Sequence, residues 1–242
     1  WSDTLAELKD IFAKTFNESQ GNILLPDFSV GRAQELLYLF HLYAKEWKLD
    51  RWKICLDSPM AIEATRVYVN NYPLMDEDFK RFTRQHPGQH PLLSNVEFIQ
   101  TTEESIALNE VHKGLIIIAG SGMCNGGRIV HHLKHNLWKS SNHLIFVGFQ
   151  AQGTLGRRLV DGERRVKLFG QEIMVKAKVH TIGGFSAHAG QSELLDWAQA
   201  IGGQPQFYLV HGEPEAQQAL QQELAQLGIA ANIPAKGDVI EL

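Results

Sequence analysis

Short apolar strands alternate with amphipathic helices along most of the sequence. The run Gly114–Ala119 is continuously apolar, and such a strand suits a sheet that is covered on both faces. Similar short apolar segments occur at 22–26, 52–56, 96–99 and 144–148, with helical patterns between them. This alternation predicts an α/β fold with a mostly parallel sheet flanked by helices.

The pattern changes after Gly153. Residues 164–169 and 173–179 alternate apolar and basic side chains around Gly170 and Gln171, which predicts a hairpin-like pair of strands. The segment 72–91 contains several proline, glycine and histidine residues and is predicted to be a long loop. The remaining predicted elements are a helix at 191–200, a strand at 206–210, a helix at 215–227 and a last strand at 238–242.

Composition excludes several classes of protein. Of the 242 residues, 44% are hydrophobic and 21% are charged, as in globular proteins. No apolar run approaches the roughly 18 residues of a membrane span, and no signal peptide opens the sequence. The two cysteines, Cys55 and Cys124, lie in apolar or glycine-rich surroundings, which argues against a disulfide framework. We expect a cytoplasmic protein without a membrane partner.

The net charge of −4 hides an asymmetry. Between Arg128 and Lys178 there are ten lysines and arginines but three acidic residues, whereas 193–242 holds seven acidic residues and one lysine. A basic stretch of this kind suits contact with a polyanion. A solvated, lysine-rich surface is the simpler explanation on charge alone.

A glycine-rich segment follows the apolar run and precedes a helix. Glycines at such a junction allow backbone amides to approach a phosphate at the helix N-terminus. The spacing is one residue longer than in the dinucleotide-binding fingerprint, and a plain tight turn explains the glycines equally well. The candidate phosphate-binding residues are Ser121, Gly122, Gly126 and Gly127, with Arg128 at the start of the helix.

A second strand-to-helix turn spans 25–32. Its Arg32 could reach an anion beyond the strand end, although capping of the helix by Asp27 or Ser29 is the simpler explanation for the turn.

Two sets of histidines are candidates for a function: His131, His132 and His135, on one predicted helix, and the pair His188 and His211. His131 and His135 are four residues apart, a spacing that can chelate zinc, but no third ligand is placed with them and an ordinary helix face is the simpler interpretation. His188 and His211 each follow a short apolar strand and open a turn, where α/β proteins present functional residues. From pattern alone, a functional pair and two structural histidines both remain open.

Five segments together resemble the β-CASP branch of the metallo-β-lactamase superfamily, and are most similar to bacterial RNA-processing metallo-hydrolases related to the cleavage and polyadenylation endonuclease. They occur in the family's order over nearly the whole chain. The segments are Leu24–Leu37, Ser121–His135, Gly148–Arg158, Phe185–His188 and Leu209–Glu213.

The resemblance implies a domain organisation and roles for single residues. It implies a β-CASP domain at 1–178 and, at 179–242, the C-terminal segment of the metallo-β-lactamase αβ/βα sandwich. His211 would be a terminal ligand of one of two zinc ions. His188 would lie beside the scissile phosphate and help to stabilise or protonate the leaving oxygen. The glycine-rich segment, Arg128 and Arg32 would line an RNA channel.

The departures from the family pattern are equally informative. The sequence has no counterpart of the family's zinc cluster His-x-His-x-Asp-His, nor of its later histidine and bridging aspartate. It also has no counterpart of the carboxylate that in the family partners the histidine matched by His188. We expect them upstream of Trp1, in an N-terminal metallo-β-lactamase portion. Gly190 stands where the family usually has aspartate.

We therefore expect this chain to be one part of a zinc-dependent ribonuclease. The chain alone should have an incomplete zinc site and no activity. Its expected partners are RNA, the N-terminal portion and, for an exposed 179–242 segment, a second copy of the chain. Two alternatives remain: a non-catalytic RNA-binding module, and a nucleotide-binding α/β domain that holds a dinucleotide at the glycine-rich segment.

Overall fold

Six short strands form a parallel sheet in the first of two compact units. The computed structural model describes residues 1–85, 92, 96–186, 188–203 and 205–240, and the chain divides into the units Trp1–Ser186 and Ala187–Leu242. The sheet has the strand order β3-β2-β4-β1-β5-β8, and all neighbouring strands are parallel. Its strands are β1 (Ile23–Pro26), β2 (Lys53–Leu56), β3 (Val96–Phe98), β4 (Leu115–Ala119), β5 (His143–Phe146) and β8 (Lys178–Thr181).

Both faces of this sheet are covered, because successive residues of its central strands enter two different cores. In β4, Ile116 and Ile118 belong to one core, whereas Leu115 and Ile117 belong to the other. The predicted α/β fold with a mostly parallel sheet is therefore confirmed. The helices of the first unit are α1 (Ser2–Lys14), α2 (Arg32–Leu42), α3 (Pro59–Asn70), α4 (Glu77–Gln85), α5 (Thr102–Ala107), α6 (Arg128–Asn136) and α7 (Leu155–Val160).

Each face of the sheet carries its own set of helices. Buried residues of α1, α2 and α3 pack on one face, for example Phe12, Leu36 and Ile62. The other face is covered by α6 and α7 through Leu133 and Leu159. The predicted hairpin, β6 (Arg165–Leu168) and β7 (Gln171–Met174), is antiparallel and belongs to this second layer.

The predicted second strand of the hairpin is too long. The structure ends β7 at Met174, and Lys178–Thr181 instead becomes the edge strand β8, paired with β5. The backbone amides of Lys176 and Ala177 both donate to the carbonyl of Leu137, at 2.8 and 2.9 Å. These two hydrogen bonds direct the chain away from the hairpin and toward the sheet.

The predicted loop at 72–91 is wrong for its central part, where α4 forms. The amide of Phe79 donates to Asp76 Oδ1 at 2.8 Å, and Glu77 and Asp78 occupy the first turn of the helix. Acidic residues at these positions stabilise a helix N-terminus. Residues 86–91 lie outside the described part of the chain.

The described part of the second unit contains two helices and two short strands. α8 (Gln191–Ala200) and α9 (Pro214–Gln226) accompany β9 (Phe207–Tyr208) and β10 (Ala231–Asn232), which pair in parallel. The predicted last strand is wrong for 238–240, because Asp238 Oδ2 accepts from the amide of Ala235 and forms a turn there. Residues 241 and 242 are outside the described residues.

The family-based boundary between 178 and 179 differs from the division into compact units, since β8 lies in the sheet of the first unit. It stays a prediction. Within the described ranges, no helix has the length and apolar character that crossing a membrane requires.

Candidate functional site

The carboxyl ends of β1, β2 and β4 meet at one edge of the sheet, as the strands are parallel. An open groove of about 710 Å³ lies at this edge, where α/β proteins bind ligands. We refer to it as the carboxyl-edge groove. Its lining includes Phe28, Ser29, Met60, Gly122 and Arg128.

A buried polar network lies at one end of this groove and centres on Asp57, the residue after β2. Asp57 Oδ1 lies 2.6 Å from Arg128 Nη1, and its Oδ2 lies 2.6 Å from His132 Nε2. Ser105 Oγ also donates to Oδ2, at 2.5 Å. Burial by itself would raise the pKa of Asp57, but the hydrogen bonds from His132, Ser105 and Arg128 outweigh it and lower the pKa. Asp57 is therefore a carboxylate.

The guanidinium of Arg128 is held by acceptors of the protein. Besides Asp57, Arg128 Nη1 donates to the Ile99 carbonyl at 3.0 Å and Nη2 donates to the Gln100 carbonyl at 3.1 Å. These bonds fix the first turn of α6 against the segment that precedes α5. The predicted contact of Arg128 with RNA stays a prediction, and it would compete with these bonds.

The glycine-rich segment folds closely on itself. Gly127 has φ +75°, and a Cβ on it would lie 2.3 Å from the Gly120 carbonyl oxygen. A Cβ on Gly122 would lie 2.6 Å from the ring of Phe28. Close packing thus explains both glycines without a ligand.

Two amides of the segment remain available to an anion. Within the described part of the chain, the backbone N–H groups of Gly126 and Gly127 make no hydrogen bond. They lie just before the N-terminus of α6, where the helix dipole favours negative charge. The predicted phosphate role of Ser121, Gly122, Gly126 and Gly127 stays a prediction.

Arg32 is likewise engaged within the protein. It donates through Nη1 to Glu35 and through Nη2 to the carbonyl of Phe185, and its guanidinium lies 5.2 Å from the centre of the Phe185 ring. Its predicted contact with an RNA phosphate remains untested.

Asp27 differs from Asp57 because no side chain of the described structure hydrogen-bonds to its buried carboxyl group. Neither carboxylate oxygen of Asp27 has a hydrogen-bond partner in the described structure. Burial raises its pKa to about 8, and the neighbouring Phe28 amide and the Arg32 charge offset this only in part. Asp27 is therefore mostly protonated at neutral pH.

The structure brings His188 and His211 together in the second unit. Their ring centres lie 6.2 Å apart and the ring planes are inclined by 51°, and both residues are exposed. His211 precedes the start of α9, and His188 precedes that of α8. Gly190 is the N-terminal cap of α8, where its amide donates to Glu193 Oε2 at 2.7 Å.

These two histidines do not make a zinc site by themselves. A catalytic zinc ion uses three protein ligands, and no group of three or more histidine, cysteine, aspartate or glutamate side chains that could hold a metal occurs among the described residues. The same finding applies to His131 and His135, so the zinc-chelating alternative for that helix has no support.

Sequence reasoning missed Asp57 and its partner His132. The available signal was an aspartate directly after an apolar strand, the position that Asp27 also occupies. Such a residue looks like a helix cap in the sequence, and its pairing with a residue 75 positions away is not visible there.

Two family profiles match the chain. The Beta-Casp domain profile covers residues 33–159, and the profile described as a Zn-dependent metallo-hydrolase RNA specificity domain covers residues 172–234. Arg128 and the glycine-rich segment fall within the first match, and His188 and His211 fall within the second.

Several curated proteins are similar to the chain. Ribonuclease TTHA0252 of Thermus thermophilus is 41% identical over 239 residues, which cover 98% of this chain and 54% of the relative. Transcription termination factor FttA of Pyrococcus abyssi is 34% identical over 236 residues, covering 92% of this chain and 35% of that protein. An RNase J-like protein of Methanocaldococcus jannaschii is 32% identical over 196 residues, or 81% of this chain and 44% of that protein.

The chain thus spans about half the length of the Thermus relative and about a third of the Pyrococcus one. The Beta-Casp profile alone covers more than half of the sequence, and it contains four of the six strands of the parallel sheet, β2 to β5. The chain belongs to the β-CASP branch of the metallo-β-lactamase superfamily.

Proposed function

We propose that this chain forms the β-CASP domain (1–178) and the C-terminal metallo-β-lactamase segment (179–242) of a zinc-dependent RNA phosphodiesterase acting in RNA processing or decay. The observation that carries the proposal is the 6.2 Å separation of His188 and His211, two histidines 23 positions apart at the family's site positions. The ribonuclease relative and the RNA specificity profile support RNA as the substrate.

In this proposal each histidine has a separate role. His211 contributes one zinc ligand, and the remaining ligands come from an N-terminal metallo-β-lactamase portion. His188 lies beside the scissile phosphate and donates a proton to the leaving oxygen, a task suited to imidazole near neutral pH. Position 190 is a glycine in this chain, and its backbone amide donates a hydrogen bond to Glu193 Oε2 at the start of α8.

The carboxyl-edge groove contributes to RNA binding. The amides of Gly126 and Gly127 face a phosphate, while Ser121 and Gly122 shape the segment that presents them. Arg128, which lines the groove, and Arg32, at the start of α2, add positive charge toward the RNA backbone and keep their bonds to protein acceptors.

The experiment joins this chain to the part of the Thermus relative that it does not match, which in this proposal holds the remaining zinc ligands. Zinc content and cleavage of a 5′-labelled RNA are measured for the chimera, for His188→Ala and for His112→Ala, an exposed histidine in the first unit. We expect His188→Ala to lose roughly a hundredfold or more of the cleavage rate, the usual contribution of a general acid, with zinc retained. His112→Ala should match the unaltered chimera. Equal cleavage by His188→Ala and the unaltered chimera would refute the assigned role.

A non-catalytic RNA-binding module is the second candidate. It is favoured by the incomplete metal site of the described residues. RNA binding by the zinc-loaded chimera without any cleavage would support this candidate over the hydrolase.

A further inference from the structure

Exposed aromatic side chains lie on α6 and in the turn that follows it. His131 and His135 are four residues apart on one face of the helix, Trp138 lies two residues beyond the helix end at Asn136, and all three are exposed. Trp138 is 52% exposed, although tryptophan is usually buried. The opposite face of the helix is defined by Ile129 and Leu133, which enter the core.

The hairpin adds a fourth ring to this surface. Phe169, at the tip between β6 and β7, is 56% exposed. Its ring stacks on that of His131, with centres 4.4 Å apart and planes inclined by 26°. We call His131, His135, Trp138 and Phe169 the α6 stripe.

Positive charge accompanies the stripe. α6 contains no acidic residue, Lys134 lies on it, and Lys139 Nζ is 5.6 Å from the centre of the Trp138 ring. The pKa of His135 is lowered by partial burial and then by the charges of Lys134 and Lys139, while Glu110 opposes the shift. The stripe therefore lies in a positive local field.

Exposed rings among lysines match the chemistry of one class of ligand. Single-stranded nucleic acid offers bases that stack on aromatic rings and phosphates that attract lysine. A solvated helix face accounts for the lysines, but it does not require the exposed rings of His131 and Phe169 to stack on each other.

We propose that the α6 stripe binds single-stranded RNA, with bases stacking on Trp138 and on the His131–Phe169 pair and with phosphates facing Lys134 and Lys139. α6 begins at Arg128, which lines the carboxyl-edge groove. His131 is less than one helical turn from Arg128, so RNA bound on the stripe can continue into the groove. This inference rests on the proposed function only in taking RNA as the ligand.

The test measures binding of the full 242-residue chain to a fluorescein-labelled 12-nucleotide RNA by anisotropy, at several salt concentrations. A second probe is an abasic oligomer of the same length. The variants are Trp138→Ala and Lys134→Gln. The matched controls are Trp197→Ala, an exposed tryptophan of the second unit, and Lys45→Gln, an exposed lysine beyond α2.

We expect Trp138→Ala to weaken RNA binding roughly five-fold or more, the usual effect of losing one stacked base, and to leave binding of the abasic oligomer unchanged. Lys134→Gln should lower the slope of log affinity against log salt by about 0.7, the value for one phosphate contact on a single strand. Both controls should bind like the unaltered chain. Unchanged thermal unfolding midpoints would show that the variants fold.

Three results would overturn the stripe in distinguishable ways. If the chain binds RNA and both variants bind it equally well, the stripe is wrong and the proposed function is unaffected. If Trp138→Ala weakens binding of the RNA and the abasic oligomer alike, bases do not stack there. If the chain does not bind RNA even at low salt, both the stripe and RNA as a ligand of this chain are contradicted. Cleavage is not part of the measurement, so loss of activity elsewhere does not affect it.

Discussion

At the scale of single residues, two aspartates that follow parallel strands have opposite states. Asp57 accepts hydrogen bonds from Arg128, Ser105 and His132 and stays ionised. Asp27, at the equivalent place after β1, is buried without a partner and is held mostly protonated. The difference follows from what surrounds each carboxyl group, and the sequence around the two residues does not reveal it.

Replacing Asp57 tests this network. Asp57→Asn removes the negative charge and leaves the guanidinium of Arg128 half-buried without its counter-ion. Breaking a buried ion pair by removing one partner costs about 3–5 kcal/mol, and we expect the free energy of unfolding to fall by about 3 kcal/mol because Arg128 is not fully enclosed. Urea denaturation measures it. The control is Asp161→Asn, which removes an exposed ion pair with Arg157 and should leave the denaturation midpoint nearly unchanged. If Asp57→Asn were as stable as the unaltered chain, the network would not hold α6 in place.

At the scale of elements, sequence patterns predicted most of the sheet. The central strands were visible because each is a short apolar run, and α6 was visible from its spacing. β8 was missed since its strand character depends on pairing with β5, 35 positions earlier in the chain. α4 was missed because nearby prolines and glycine outweighed the acidic residues that start the helix.

A pair of histidines connects β5 to β8, and we expect it to make the sheet edge sensitive to acid. His143 Nδ1 lies 3.0 Å from His180 Nε2, and His143 Nε2 lies 3.1 Å from Ser19 Oγ. Burial, followed by the charges of His180 and Lys178, lowers the pKa of His143 to about 4. Because its pKa is depressed in the folded state, protonation favours unfolding as the pH falls from about 6.5 toward 4.

The expected loss of stability from His143 over this pH range is about 2–3 kcal/mol, at about 1.4 kcal/mol for each pKa unit. His143→Gln should remove that part of the pH dependence, whereas His112→Gln, at an exposed position, should retain it. Unfolding free energies at pH 4.5, 5.5 and 7 compare the three proteins. Identical pH dependence in His143→Gln and the unaltered chain would contradict the assignment.

At the scale of the whole molecule, the sequence pattern selected two histidines that the structure brings together, but their assigned roles stay a prediction. His188 and His211 were selected because both follow short strands and open turns, and the structure brings their rings within 6.2 Å. A complete zinc centre needs more ligands than the described residues supply. The chain spans 54% of its Thermus relative, and the proposed function assigns the other ligands to the part of such a protein that it does not match.

The most direct measurement is therefore of zinc content, by elemental analysis, and of the cleavage of a labelled RNA. Both are measured for the isolated chain and for the chimera with the part of the Thermus relative that the chain does not match. We expect no stoichiometric zinc and no cleavage for the isolated chain, and we expect both for the chimera. Stoichiometric, tightly bound zinc with RNA turnover in the isolated chain would contradict this expectation.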